Sequence, residues 1–415
     1  MSSTPALQRR LGTADAVFIG LGSMIGAGVF AAFTPAAQAA GAGLLVGLVV
    51  AALVAACNAL ASAQLAAAYP TSGGTYVYGR EQLGPWWGFL AGWSFVIGKT
   101  ASCAAMALTF ASYAAPAGWE RPVAAAAVVA LAAVNYRGVT RTAQLARVIV
   151  VLVLVALTVA VAATGSAGLP RLAELDGSSI IAHGPYGILQ SAGLMFFAFA
   201  GYARIATMGE EVRDPSRTIP RAIVIALSIT IVIYAVVAVS LLGALGAEGL
   251  AESTAPLREA AAAWPWTAPV VTVGAALASL GALLALIAGI GRTSLAMARE
   301  GDLPRWLAAV HPRFHVPHRA EVVLAAVVVA LVLTVDLRGA IGFSSFGVLL
   351  YYFVANVSAF TQKGEARMLP RAVFVIGALT CLLLVVTLPL AAIVGGLVVL
   401  AIGIGFRLVI RARKA

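Results

Sequence analysis

Gly20-Leu-Gly-Ser-Met-Ile-Gly-Ala-Gly-Val-Phe30 is the stretch on which the reading of the whole chain turns. It lies inside an apolar run from about Ala14 to Thr34, and about 20 apolar residues cross a bilayer as one helix. Each of the glycines at 20, 22, 26 and 28 costs a helix about 1 kcal/mol relative to alanine. A run that served only as an anchor would not carry them. The cluster predicts a helix that opens near its middle. Open backbone at membrane depth is tolerated only where it lines a cavity or is buried in protein. Two plainer readings compete. Gly22 and Gly26 form a GxxxG that suits close helix packing. A dinucleotide fingerprint needs GxGxxG after a strand, and Gly20-x-Gly22-x-x-x-Gly26 does not supply it.

Of the 415 residues, 61% are hydrophobic and 10% charged, and the mean hydropathy is +0.98. That composition predicts an all-α polytopic membrane protein. Apolar runs recur at about 14–34, 43–68, 84–115, 121–136, 143–164, 187–209, 221–246, 267–298, 320–335, 338–360, 371–387 and 388–409. They are numbered below as spans 1 to 12. The segments around them are a short polar N-terminus, 1–13, without a cleavable leader, and a tail, 410–415. Most Lys and Arg fall in loops on the N-terminal side, among them Arg9, Arg80, Arg141, Arg213, Arg305, Arg367 and Lys414. The opposite loops hold Arg121, Arg171, Arg258 and Arg338. This bias predicts that both termini are cytoplasmic, and it accounts for the net charge of +11 without nucleic acid. The preference for Arg over Lys and the abundance of Ala suggest a bacterial inner membrane. Cys57, Cys103 and Cys381 lie in apolar runs and read as small buried residues.

Span 6 repeats the oddity of span 1. It carries Phe196-Phe-Ala-Phe-Ala-Gly-Tyr-Ala-Arg204, with Gly193 and Gly201 near its middle. Corresponding elements lie five spans apart, and an odd number inverts the second copy. Glycine-interrupted spans at corresponding places in two halves point to a midplane site. The expected architecture is a 5+5 inverted repeat, 14–164 and 187–360, followed by two helices in 371–409. A half-helix N-terminus presents free N–H groups and partial positive charge. The second halves are expected to start near Ala27-Gly28 and near Gly201-Tyr202, and both suit a carboxylate. The first halves end near Ser23 to Ile25 and Phe197 to Phe199, where carbonyls face an ammonium. A zwitterion with both groups on one carbon, an α-amino acid, fits. A leucine at Gly28 is expected to block the N–H groups while leaving membrane insertion nearly normal.

At these residues the chain resembles the amino acid–polyamine–organocation (APC) superfamily of permeases. The matching stretches are Gly22-Ser-Met-Ile-Gly-Ala-Gly-Val-Phe30, Tyr69-Pro-Thr-Ser-Gly-Gly-Thr-Tyr-Val-Tyr78, Phe196-Phe-Ala-Phe through Glu210-Glu-Val-Arg-Asp-Pro-Ser-Arg-Thr-Ile-Pro220, and Arg292-Thr-Ser-Leu-Ala-Met-Ala-Arg-Glu-Gly-Asp-Leu-Pro304. The resemblance implies twelve helices, alternating access and a substrate against the interruptions of spans 1 and 6. Its carboxylate would meet the backbone at Gly26, Ala27 and Gly28, close to Ser23 and Ile25. Phe197 would stand as an aromatic gate, with Ala198, Ala200, Gly201 and Tyr202 beside it. The chain also departs from the family. Members that take cationic substrates often carry an acid where Ala200-Gly-Tyr-Ala203 stands. A family lysine in span 5 would lie near Val153, and glutamates common in spans 2 and 3 are replaced near Gln64 and Gly98.

Once the other cations are assigned to the loops and span ends, Lys99 and Arg204 remain, and both lie within predicted spans. Lys99 is about 14 residues past Pro85, roughly 21 Å along a helix and so near the midplane. An intramembrane charge is functional by default; the alternative is a lysine that packs or snorkels. Lys99 is a candidate proton carrier, or a fixed charge that stands where a sodium ion sits elsewhere. Arg204 either snorkels, contacts substrate or forms a gate pair with Glu210 or Glu211. With those two cations and no carboxylate at depth, neutral or acidic amino acids are expected over cationic ones. Ser72-Gly-Gly74 reads as a turn or an inner closure. His311, His315 and His318 lack Cys or acid partners in sequence, so no metal is expected. No cofactor is expected either. The chain has no GxxxxGK[ST] for ATP and no intramembrane acid or His pair for an enzyme. The expected partners are an amino acid, the lipid bilayer and protons. An exchanger without proton coupling, and a channel or sensor that does not translocate, remain as alternatives.

Overall fold

The structure is a computed structural model, which describes residues 10–70, 73–138, 143–166, 168–363 and 367–412. Among these, nine helices are long and apolar enough to cross a membrane. They begin with Thr13–Ala31 and end with Leu390–Ile410. The three remaining apolar runs form helices of 17 residues each, Glu120–Tyr136, His318–Thr334 and Arg371–Thr387. At 1.5 Å per residue these sit at the short end of what spans a bilayer. The protein is therefore an all-α polytopic membrane protein. The twelve apolar runs and the helices agree to within a few residues, including the split at Pro389 between Thr387 and Leu390. Span 1 differs at its end: it stops at Ala31, and a separate helix follows over Phe33–Ala40. Span 7 is one long run, Pro215–Glu252, bent at Gly246, whose φ of +71° is left-handed.

Spans 3 and 10 are the most enclosed, and spans 5 and 12 turn most of their surface outward. The outward faces carry Val148, Val151, Val155, Leu397 and Ile402. Such side chains satisfy hydrocarbon while the helix satisfies its own backbone. Spans 3 and 10 approach through glycines: a Cβ on Gly347 would lie 2.7 Å from the Gly98 Cα. Small residues at such crossings let backbones meet without a hydrophobic driving force between helices. Lys99 is the next residue along span 3.

The face that carries both ends of the described chain, called here the terminal face, is held by polar contacts. The Gly12 N–H donates to the Asp15 carboxylate at 3.0 Å, which starts span 1, and Asp15 pairs with Arg147 of span 5. The Arg10 and Leu11 N–H groups both donate to the Glu211 carbonyl at 3.1 Å, and the Arg213 N–H returns to Leu11 at 2.9 Å. A helix over Gly74–Leu83 lies between spans 2 and 3. Its Arg80 pairs with Glu300 at 2.9 Å and Asp302 at 3.3 Å. Arg407 of span 12 is 2% exposed, pairs with Asp302 at 3.1 Å, and lies 4.5 Å above the rings of both Trp86 and Phe89. Ser72, Arg9, Arg141 and Lys414 lie outside the described residues.

Candidate functional site

Span 1 stops at Met24 and restarts at Ala27. Ile25 sits at φ −80°, ψ 33°, and Gly26 at φ −79°, ψ −138°, so two residues leave helical geometry. The restart is where the glycine pattern places it. No side chain caps the N-terminus of the second half, so its first N–H groups have no partner within that half-helix. Span 6 is milder. Its α-helix ends at Phe199, a 3-10 turn covers Ala200–Tyr202, and four helical residues follow, Ala203–Ala206. The second half thus begins at Ala203, not at Gly201-Tyr202. A 3-10 turn shortens the hydrogen-bonding register without freeing a full set of N–H groups, so span 6 leaves fewer N–H groups open than span 1.

The two interruptions touch. A Cβ on Gly201 would lie 2.3 Å from the Ser23 carbonyl carbon and oxygen, and one on Gly28 would lie 2.6 Å from the Ala198 Cα. A leucine at Gly28 therefore collides with span 6, and its effect is not confined to ligand binding. Gly26 has slightly more room, 3.0 Å from the Ala282 Cβ of span 8. Ser23 turns its hydroxyl back to the Ile19 carbonyl at 3.0 Å. Ile25, Ala27 and Gly28 are buried.

Three side chains from other spans meet the exposed carbonyls. The Tyr234 hydroxyl, from span 7, donates to the Met24 carbonyl at 2.6 Å and is 3.0 Å from that of Ala198. One hydroxyl thereby holds the ends of both first halves. The Lys99 ammonium donates to the Ala200 carbonyl at 3.2 Å, and the Tyr352 hydroxyl of span 10 reaches the same oxygen at 3.4 Å. The midplane position expected for Lys99 thus places it on the interruption of span 6. It is 7% exposed. Of the carbonyls expected to meet a substrate ammonium, those of Met24 and Ala198 share the one hydroxyl of Tyr234. Aromatic rings close the region: Phe199 lies 5.0 Å from Tyr234, and Tyr202 5.0 Å from Tyr352, between ring centroids. Phe197 is buried in a separate cluster with Ala31, Met106 and Ala282, on the side of spans 3 and 8.

A void of about 10 Å³ lies beside the span 1 interruption, among Gly22, Ile25, Val153 and Ala278. That is room for about one water. Val153, at the place of the family lysine, is a buried apolar wall. On the terminal face, Arg204 pairs with Glu211 at 3.5 Å and reaches the Thr207 hydroxyl at 3.3 Å. Of the two expected acids it is Glu211 that meets Arg204; Glu210 is half-buried in the same turn. Because the Glu211 carbonyl also holds Arg10 and Leu11, this turn ties the start of span 1 to the end of span 6. Sequence reasoning missed Tyr234 and Tyr352. Each is one aromatic in a long apolar run, and nothing local distinguishes a tyrosine that reaches a carbonyl from one that fills space.

The chain matches the family model described as amino acid permease over residues 11–406. It is 59% identical to an uncharacterized transporter of Mycobacterium tuberculosis, across 98% of this chain and 93% of that one. It is 26% identical to the branched-chain amino acid permease BcaP of Bacillus subtilis, across 97% and 93%. It is 27% identical to cationic amino acid transporter 7, chloroplastic, of Arabidopsis thaliana, across 86% and 66%. Interrupted apolar spans, their mutual packing and a match over nearly the whole length agree: the chain belongs to the amino acid permease family of the APC superfamily and is a multi-pass membrane transporter, not an enzyme.

Proposed function

We propose that this permease moves a neutral or acidic amino acid by alternating access, with its two five-span halves rocking about the paired interruptions. The substrate carboxylate meets the N-terminus of the second half of span 1, at Gly26, Ala27 and Gly28. Ser23, Ile25, Phe197, Ala198, Ala200, Gly201 and Tyr202 complete the site. Both termini are cytoplasmic, in the plasma membrane of a bacterium. The observation that carries the reading is the Lys99 ammonium on the Ala200 carbonyl, next to the contact between the two spans. A cationic substrate placed there would face that ammonium at low dielectric, where repulsion is poorly screened. The branched-chain substrate named for the Bacillus relative points the same way; the name of the Arabidopsis relative points the other way.

Lys99 is the coupling residue in this proposal. It exchanges a proton as the cavity opens to each side in turn, while Arg204 with Glu210 and Glu211 forms the cytoplasmic gate. A second reading has its own support. Among the described residues the partner of Lys99 is a carbonyl and not a carboxylate. A lysine that keeps its charge there would act as a fixed cation, and transport would be exchange. Uptake of a radiolabelled amino acid panel into proteoliposomes, with and without a pH gradient, separates the readings. Saturable uptake of leucine, alanine or glutamate above arginine and putrescine is expected. Preferential uptake of arginine would overturn the substrate class, and exchange indifferent to a pH gradient would leave the fixed-charge reading.

A further inference from the structure

Spans 4 and 9, Glu120–Tyr136 and His318–Thr334, pack together and leave a groove of about 470 Å³ near their terminal-face ends. Its walls are apolar, with Val129 and Ala133 on span 4 and Val322 and Ala325 on span 9. Val129, Ala133 and Val322 are exposed. On a membrane-spanning helix such side chains face lipid, so the apolar wall of the groove lies toward the bilayer. Two charged residues are among those that line it, Arg137 and Glu321.

Glu321 is the unusual one. It is 3% exposed, and its Oε2 is buried without a hydrogen-bond partner among the described residues. Arg292 of span 8 directs its Nε to the Ala288 carbonyl at 3.3 Å instead of completing an ion pair with it. A buried carboxylate oxygen without a donor is costly, and Glu321 is one of the residues that line the groove. The occupant must therefore combine an apolar body with N–H donors for Glu321. Arg137, exposed and also lining the groove, adds a demand for an anion. A phospholipid carries all three parts, and basic pockets between membrane helices take lipid headgroups.

We propose that the groove between spans 4 and 9 binds a phospholipid with a primary-amine headgroup. An acyl chain lies along Val129, Ala133, Val322 and Ala325. The phosphate meets Arg137, and the ammonium draws the Glu321 carboxylate toward the groove and donates to it. A quaternary choline has no N–H to donate, and a glycerol headgroup brings no positive charge. The site thus selects for the amine and not for phospholipid in general.

Native mass spectrometry of the purified full chain tests this, with phosphatidylethanolamine, phosphatidylcholine and phosphatidylglycerol of matched acyl chains. The wild type should retain the ethanolamine lipid about tenfold more tightly than the choline lipid, the scale of one charge-assisted hydrogen bond. Glu321→Gln should remove that preference, whereas Arg137→Ala should weaken retention of all three lipids together. Equal retention of ethanolamine and choline lipids by the wild type would overturn the proposal. So would a monodisperse Glu321→Gln protein that keeps the preference. Ala133→Trp fills the groove without touching the carboxylate, which covers the case in which Glu321→Gln does not fold. It should lower ethanolamine lipid retention, and unchanged retention would place any lipid elsewhere and overturn the assignment.

Discussion

Span 1 stops and restarts, with Ile25 and Gly26 outside helical geometry, whereas span 6 tightens into a 3-10 turn whose Phe199, Ala200, Tyr202 and Ala203 all stay right-handed. The difference tracks what each offers a ligand. The gap in span 1 leaves an uncapped half-helix that begins at Ala27. In span 6 the loosened carbonyls are taken by side chains from spans 3, 7 and 10. Backbone groups at membrane depth need partners, and the two spans find them in different places. Span 1 leaves the first N–H groups of its second half without a side-chain cap, while span 6 holds Lys99 on its Ala200 carbonyl.

The sharpest way to break this comparison is to separate the two spans. Gly201→Val places a side chain where the Ser23 carbonyl group already is. Backbone atoms cannot swing aside as a flexible side chain can. We expect a loss of more than about 4 kcal/mol, read as aggregated or degraded protein on size exclusion. Gly289→Ala on span 8 is the control, since nothing lies within 4 Å of its ideal Cβ. A Gly201→Val protein as stable as that control would mean that the spans do not meet there.

Lys99→Ala acts on function more than on folding. If Lys99 carries the proton, accumulation driven by a pH gradient is lost in proteoliposomes while counterflow of preloaded substrate is retained. Unchanged gradient-driven accumulation would remove Lys99 from coupling. Tyr234→Phe should cost about 1–3 kcal/mol, because it leaves the buried Met24 and Ala198 carbonyls without their shared donor. Thermal unfolding in detergent would measure it. A shift no larger than that of a surface control would show that the hydroxyl does not clamp the two ends.

Much of this was legible in the residues. Twelve apolar runs became twelve helices because length and hydropathy are properties of the segment itself. The interruption in span 1 was legible because Gly20, Gly22, Gly26 and Gly28 are crowded into it. Span 6 spreads Gly187, Gly193 and Gly201 along its length, and its helix is only tightened into a 3-10 turn. The contacts were not legible. Asp302 and Arg407 are far apart in sequence, and Arg407 looks like one more loop cation until its guanidinium is found between Trp86 and Phe89. The burial of Lys99 in the protein interior agrees with its count of residues from Pro85. Its partner, Ala200, did not follow from that count, because partner choice depends on how spans 3 and 6 cross.

The smallest expected effect bears on whether the span 6 carbonyl is held by one donor or two. Tyr352 reaches the Ala200 oxygen at 3.4 Å, near the long limit for a hydroxyl donor, while Lys99 reaches it at 3.2 Å. A carbonyl has two lone pairs and accepts from both. Tyr352→Phe alone should therefore cost less than about 1 kcal/mol, since Lys99 still satisfies the oxygen. Substrate uptake should stay close to wild type. In Lys99→Ala the same mutation removes the second of two side-chain donors from a buried carbonyl, so the double mutant should lose more stability than the two single mutants together. The excess is a coupling energy, and neighbours that share one partner show about 0.5–3 kcal/mol of it. A cycle that closes additively would mean that the two side chains do not share the Ala200 oxygen, and that the 3-10 turn of span 6 relies on Lys99 alone.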